Sequence, residues 1–109
     1  MIYKFKSKAA GDVIMLARSG DEVLRCIGKP AAATGIVEAA AMPEAMRAIE
    51  AAIADDEAAR ERAEQEARNE GHALPPREGV SLRQRAWPLV EMLRRCHAAR
   101  EVIVWGAGY

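Results

Sequence analysis

Tyr3-Lys4-Phe5-Lys6-Ser7-Lys8-Ala9-Ala10-Gly11-Asp12-Val13-Ile14-Met15-Leu16 is the stretch on which the fold turns. Side chains alternate across a strand, so Tyr3 and Phe5 share one face while Lys4 and Lys6 share the other. Ala9-Ala10-Gly11-Asp12 supplies the turn, with Gly11 free to take a positive φ. Val13 to Leu16 then returns as a second strand that is apolar on both faces. Such a strand is expected either in the middle of a sheet or with its outer side covered. The chain therefore opens with a β-hairpin.

The far end repeats the signal. Glu101-Val102-Ile103-Val104-Trp105 is rich in β-branched side chains and predicts a strand that joins the hairpin, with Gly106 to Tyr109 as a loose tail. Helical periodicity fills the space between. Ser19 and Glu22 stand at capping-box spacing ahead of Val23, Leu24 and Ile27, and Gly28 with Pro30 ends a short helix. Lys29 to Gly35 reads as loop, and Ile36-Val37 as a brief extended contact with the core. Met42-Pro43-Glu44 opens the second helix, where a first-turn Pro loses no hydrogen bond. Met42, Met46, Ile49 and Ile53 draw one apolar stripe along it.

Past Ile53 the stripe stops. Residues 54–70 hold alanines and charges, with Asp56–Arg60 and Glu64–Arg68 as acid-before-base pairs four apart. They predict an exposed, charged helix extension that frays toward Gly71. Residues 71–79, with Pro75-Pro76, read as a linker loop. Ser81 and Gln84 form a second capping box, and Leu82, Ala86, Leu89, Val90 and Leu93 share the face of the helix behind it. Pro88 lacks an N–H and crowds the carbonyl of Gln84, which predicts a kink at Ala86-Trp87 in preference to a fresh helix at Pro88. The expected fold is α+β and a single domain over 1–109. Hairpin and C-terminal strand form a three-stranded sheet, and two to three helices pack on one face.

Sixteen Lys and Arg balance sixteen Asp and Glu among 109 residues, which argues against a general polyanion binder and makes nucleic acid a poor partner. No apolar run approaches the ~20 residues a membrane helix needs. The N-terminus enters strand alternation at once, so a cytoplasmic location with reduced Cys26 and Cys96 is expected. Catalytic, metal and cofactor sites are all expected to be none. Adjacent residues of a helix diverge by about 100°, so Cys96 and His97 do not face one another. Cys26, His72, Cys96 and His97 carry no metal-ligand spacing, and the eight glycines form no phosphate loop.

Charge is segmented. Residues 1–48 carry seven basic and five acidic groups, residues 49–80 four and nine, and residues 81–109 five and two. The plain explanation is intramolecular, with the acidic helix lying beside the basic one. A functional explanation makes Arg83, Arg85, Trp87, Arg94 and Arg95 an interaction surface, since a tryptophan at the margin of an apolar stripe between arginines suits an interface. The same arginines, with Lys4, Lys6 and Lys8, are the candidates for an anion-binding face.

Several blocks carry a family likeness: Phe5-Lys6-Ser7-Lys8-Ala9, Gly11-Asp12-Val13-Ile14-Met15, Met42-Pro43-Glu44-Ala45, and Glu101-Val102-Ile103-Val104-Trp105. The most specific is Val80-Ser81-Leu82-Arg83-Gln84-Arg85-Ala86-Trp87-Pro88-Leu89. Through them the chain resembles a family of small proteobacterial proteins known only as a domain of unknown function, the family numbered 1840. The resemblance implies a compact bacterial domain and assigns no activity and no site residue. The stretch 54–79 and the tail after Trp105 stand outside it. The leading expectation is a non-enzymatic protein-interaction or regulatory module that binds a protein partner or forms a homo-oligomer. An anion or nucleic-acid binder and an enzyme with an unrecognised site are the alternatives.

Overall fold

A computed structural model describes residues 2–29, 32, 34–76 and 79–107. The hairpin is present as β1 (Ile2–Ser7) and β2 (Ala10–Leu16), paired antiparallel with Tyr3 opposite Met15 and Phe5 opposite Val13. Next come α1 (Ala17–Cys26), β3 (Thr34–Val37), a single 3-10 turn at Ala39–Ala41, α2 (Met42–Asn69), α3 (Leu82–Ala99) and β4 (Ile103–Ala107). The sheet has four antiparallel strands in the order β2-β1-β4-β3, one more than the sequence predicts. The extra strand is the segment read as a brief contact at Ile36-Val37, which pairs with β4 through Ile36–Val104 and Val37–Ile103. Its room comes from Gly35, where a Cβ would lie 2.0 Å from the ring of Trp105 on the neighbouring strand. That ring crosses the glycine and donates from Nε1 to the Ala32 carbonyl at 3.4 Å.

The loose tail begins later than predicted. Gly106 and Ala107 belong to β4, pairing with Lys4 and Tyr3, while Gly108 and Tyr109 lie outside the described residues. Met1, Pro30, Ala31 and Ala33 of the predicted strand and loop, and Arg77 and Glu78 of the predicted linker, also lie outside them.

One sheet face is packed. Tyr3, Phe5, Met15, Val37, Ile103 and Trp105 point inward and are buried. Three of them form a chain of rings, Tyr3–Phe5 and Phe5–Trp105, each pair with centroids 6.4 Å apart. Over them lie Leu24 of α1, Met42, Ile49 and Ile53 of α2, and Leu89 and Leu93 of α3, all fully buried. These are the stripes that the periodicity predicts, and burying each such side chain contributes ~1.5–3 kcal/mol.

α1 starts earlier than its expected cap. It leaves β2 directly at Ala17, and its N-cap residue Leu16 makes no side-chain cap bond, so Ser19 is not the cap. The first turn is anchored by β1 instead. Gly20 accepts the Tyr3 ring where a Cβ would come within 2.1 Å of it, and the Tyr3 hydroxyl donates to Asp21 at 2.5 Å. α1 and α2 both close on a glycine with positive φ, Gly28 and Gly71. Each is followed by a backbone bond from Lys29 to the Leu24 carbonyl or from His72 to the Ala67 carbonyl, both 2.9 Å.

α2 is unbroken for 28 residues, about 42 Å at 1.5 Å per residue. Its apolar stripe ends at Ile53, and beyond it only Ala67 is buried among the described residues. The following loop folds back there, with Arg60 Nη2 donating to the Pro75 carbonyl at 2.8 Å. α3 opens on the predicted Ser81–Gln84 capping box and runs without interruption through Pro88, so no fresh helix begins at the proline. The carbonyl that Pro88 leaves unbonded belongs to Gln84, an exposed residue in the first turn, where water can replace the lost donor.

Candidate interaction surface

α3 divides the five residues singled out from the sequence. Arg83, Trp87 and Arg94 fall on one side of the helix, because steps of four and seven residues return nearly to the same direction. Both guanidinium carbons stand 5.9 Å from the Trp87 ring centroid. Such exposed cation–π contacts are weak individually, and the two flank the indole together. Trp87 keeps 36 % of its surface in water. Arg85 and Arg95 point elsewhere, so the five do not make one patch.

Carboxylates account for most of these arginines. Arg83 grips Glu57 of α2 through two bonds of 2.9 Å, which raises the Arg83 pKa above its ordinary value. Arg94 bonds Glu91 on its own helix and approaches Glu50 of α2 at 4.0 Å. Arg85 reaches Glu22 of α1 at 2.6 Å. Arg95 is exposed. The acidic middle of the sequence thus lies against its basic end, as the intramolecular explanation requires. Exposed pairs such as Arg83–Glu57 and Arg94–Glu91 add little stability, but they occupy the donors an anion would use.

The cysteines lie apart from this surface. Cys96 is fully buried in the core while the adjacent His97 is exposed, as the helical divergence predicts. Cys26 is half-buried, and burial first and the Glu22 charge second push its thiol pKa up. Both cysteines are free. His72 pairs with Glu70 at 3.1 Å in the loop after α2. No cluster of three or more potential metal ligands occurs among the described residues.

A second surface was hidden from sequence reasoning. β2, expected in the middle of the sheet or covered, is an edge strand with its outer side bare. Leu16 is 71 % exposed and Ile14 57 %. Ile36, Val102 and Val104 are exposed as well. Pairing places Lys4 beside Ile14, and Lys6 beside Val104, so the lysines of β1 split the outer face into two apolar halves. A cleft of about 700 Å³ follows the β2 edge, between Ile14, Leu16 and Glu22 on one side and Val80, Arg85 and Pro88 on the other. The signal was the run Val13-Ile14-Met15-Leu16 itself. Only the strand order could show that its outer side is uncovered.

These features define an α+β protein whose three helices cover one face of an antiparallel sheet and leave an apolar edge and outer face open. It belongs to the family described as Domain of unknown function (DUF1840), whose model matches residues 1–105. That span includes 54–79, the stretch set outside the likeness by sequence, and it ends at Trp105. Neither a curated protein nor a solved structure matches the chain. No helix among the described residues is long and apolar enough to cross a membrane.

Proposed function

We propose that this protein is a non-enzymatic interaction module whose contacts are made by the open β2 edge with the outer sheet face and by the arginine-flanked Trp87. One observation carries the reading: Ile14, Leu16 and Val80 are exposed around the β2 cleft, and Trp87 is exposed at a neighbouring hollow that shares Gln84 and Pro88 with it. A grouped apolar surface with polar borders is the usual mark of a protein contact. The anion-binding alternative draws less support, because Arg83, Arg85 and Arg94 already meet carboxylates. The test combines light scattering across a concentration series with affinity capture by the wild-type protein and by a Leu16→Lys, Trp87→Ala variant. Self-association, or a bound protein held by the wild type and lost by the variant, is expected. A strictly monomeric protein with no such difference would overturn the reading.

A further inference from the structure

We infer that the cleft along the β2 edge takes an extended, apolar segment of a partner protein, added to the sheet as a further strand, with an acidic side chain of that segment on Arg18. The inference rests on the interaction-module reading and names the chemistry of the partner. It begins with the backbone. An edge strand presents a row of unpaired N–H and C=O groups, and native edges are often blunted by lysine or proline. Ala10–Leu16 contains neither. No backbone bond beyond those of the hairpin reaches Asp12 to Met15 among the described residues. A strand laid alongside satisfies such groups, whereas a helix has used its own backbone internally.

The walls of the cleft then define the segment. Its volume of about 700 Å³ is that of a ligand site. Ile14 and Leu16 stand on one side, Val80 and Pro88 on the other, so alternate side chains of an added strand meet apolar surface on both of its faces.

Charge supplies the third element. Arg18, Glu22 and Arg85 are the charged residues that line the cleft. Glu22 is bonded to Arg85 at 2.6 Å, which accounts for both. Arg18, exposed and one turn before Glu22 on α1, has no ion pair among the described residues. It also stands in the first turn of α1, where the helix dipole disfavours a cation, so its own helix does not explain it. Two arginines against one glutamate leave the cleft one positive charge in excess, which favours an acidic segment and repels a basic one. Because Arg18 follows Leu16, the carboxylate belongs toward the end of the segment that lies beside Leu16.

Selection on the 109-residue chain from a displayed library of random peptides of about seven residues, the length of β2, tests the inference. The selected peptides should alternate apolar residues and carry aspartate or glutamate toward one end. On titration with the strongest of them, the backbone amides of Val13 to Leu16 should shift in NMR spectra and exchange more slowly. Arg18→Glu should weaken that peptide by about tenfold or more, and replacing the peptide's acid by lysine should restore binding to the variant. An acid suits the first turn of a helix and Arg18 is exposed, so the variant should keep the fold. Peptides with no acidic position, or bound equally by Arg18→Glu, overturn the inference. So does recovery of no peptide, with the module reading then decided by its own scattering and capture experiments. Peptides that shift Trp87 instead of β2 and are lost in Trp87→Ala overturn the inference and leave the module reading standing. Self-association through β2 does the same, because the edge is then filled by the chain itself.

Discussion

Both faces of the sheet carry large apolar side chains, and these end in opposite situations. Inward from β1, β4 and β2 point Phe5, Ile103 and Met15, all buried beneath helices. Outward from β4 and β2 point Val104, Ile14 and Leu16, all exposed, on either side of the β1 lysines. The difference lies in what the helices reach. α1, α2 and α3 each carry one apolar stripe, and all three stripes are used on the inner face. Hydrophobicity of a strand therefore reports that a surface wants cover, while topology decides whether this chain supplies it.

The largest effect expected from this contrast is on the inner face. Phe5 is fully buried between the Tyr3 and Trp105 rings, so Phe5→Ala removes a large side chain from a packed site and should cost ~3–5 kcal/mol in urea unfolding. A loss below ~1 kcal/mol would mean that the helices do not close over the sheet. Gly35→Ala probes the same face from β3. The new methyl would meet the Trp105 ring at 2.0 Å, and that ring is held by its bond to Ala32, so overpacking should cost ~1–3 kcal/mol. Tryptophan fluorescence should shift with it, because the ring has to move.

Next comes the polar seam where the inner face meets α1. The hydrogen bond to Asp21, burial and the Asp21 charge all raise the Tyr3 pKa above its ordinary value. The folded state therefore keeps this proton to higher pH than the unfolded chain does. The stabilisation is complete below the unfolded value of about 10 and is lost as pH rises through the higher folded value. Tyr3→Phe should cost ~1 kcal/mol near neutral pH through the lost bond and should flatten the alkaline fall. Urea midpoints measured up to alkaline pH check both. A variant that falls as steeply as the wild type would remove Tyr3 from that role.

Much of this was legible in the residues. Alternation at Tyr3 to Lys6, the stripes through Ile49, Ile53, Leu89 and Leu93, and the Ser81–Gln84 box are local signals, and each appears where its period or spacing puts it. What was missed depends on partners distant in sequence. Thr34-Gly35-Ile36-Val37 is too short and too glycine-interrupted to read as a strand alone, and it becomes one because Trp105 fits across Gly35. α1 begins at Ala17 because Tyr3, some fifteen residues earlier, fixes Gly20 and Asp21. At the surface, Trp87 with Arg83 and Arg94 followed from helical spacing, whereas Arg85 and Arg95 turned away for the same reason. The charge blocks foretold the meeting of α2 and α3, realised as Glu57 with Arg83. No local pattern says that β2 stands at an edge.

The smallest effect on the monomer bears most directly on the contrast. Leu16 is mostly in water in the folded chain, so folding alone removes little of its surface from solvent, and Leu16→Ala, which leaves the N-cap of α1 as uncapped as before, should change stability by no more than ~0.5 kcal/mol in dilute protein. The inner and outer faces would then differ several-fold for truncations of comparable apolar side chains. Concentration sharpens the comparison, because a partner that binds only the folded state stabilises it by mass action. If the exposed edge is covered by a second chain, the wild-type unfolding midpoint should rise with the concentration of that chain while that of Leu16→Ala rises less, so the two curves part as the solution becomes denser. Parallel curves at every concentration would mean that Leu16 remains in water in association as it does in folding, and the apolar outer half of β2 would then have no role in contact.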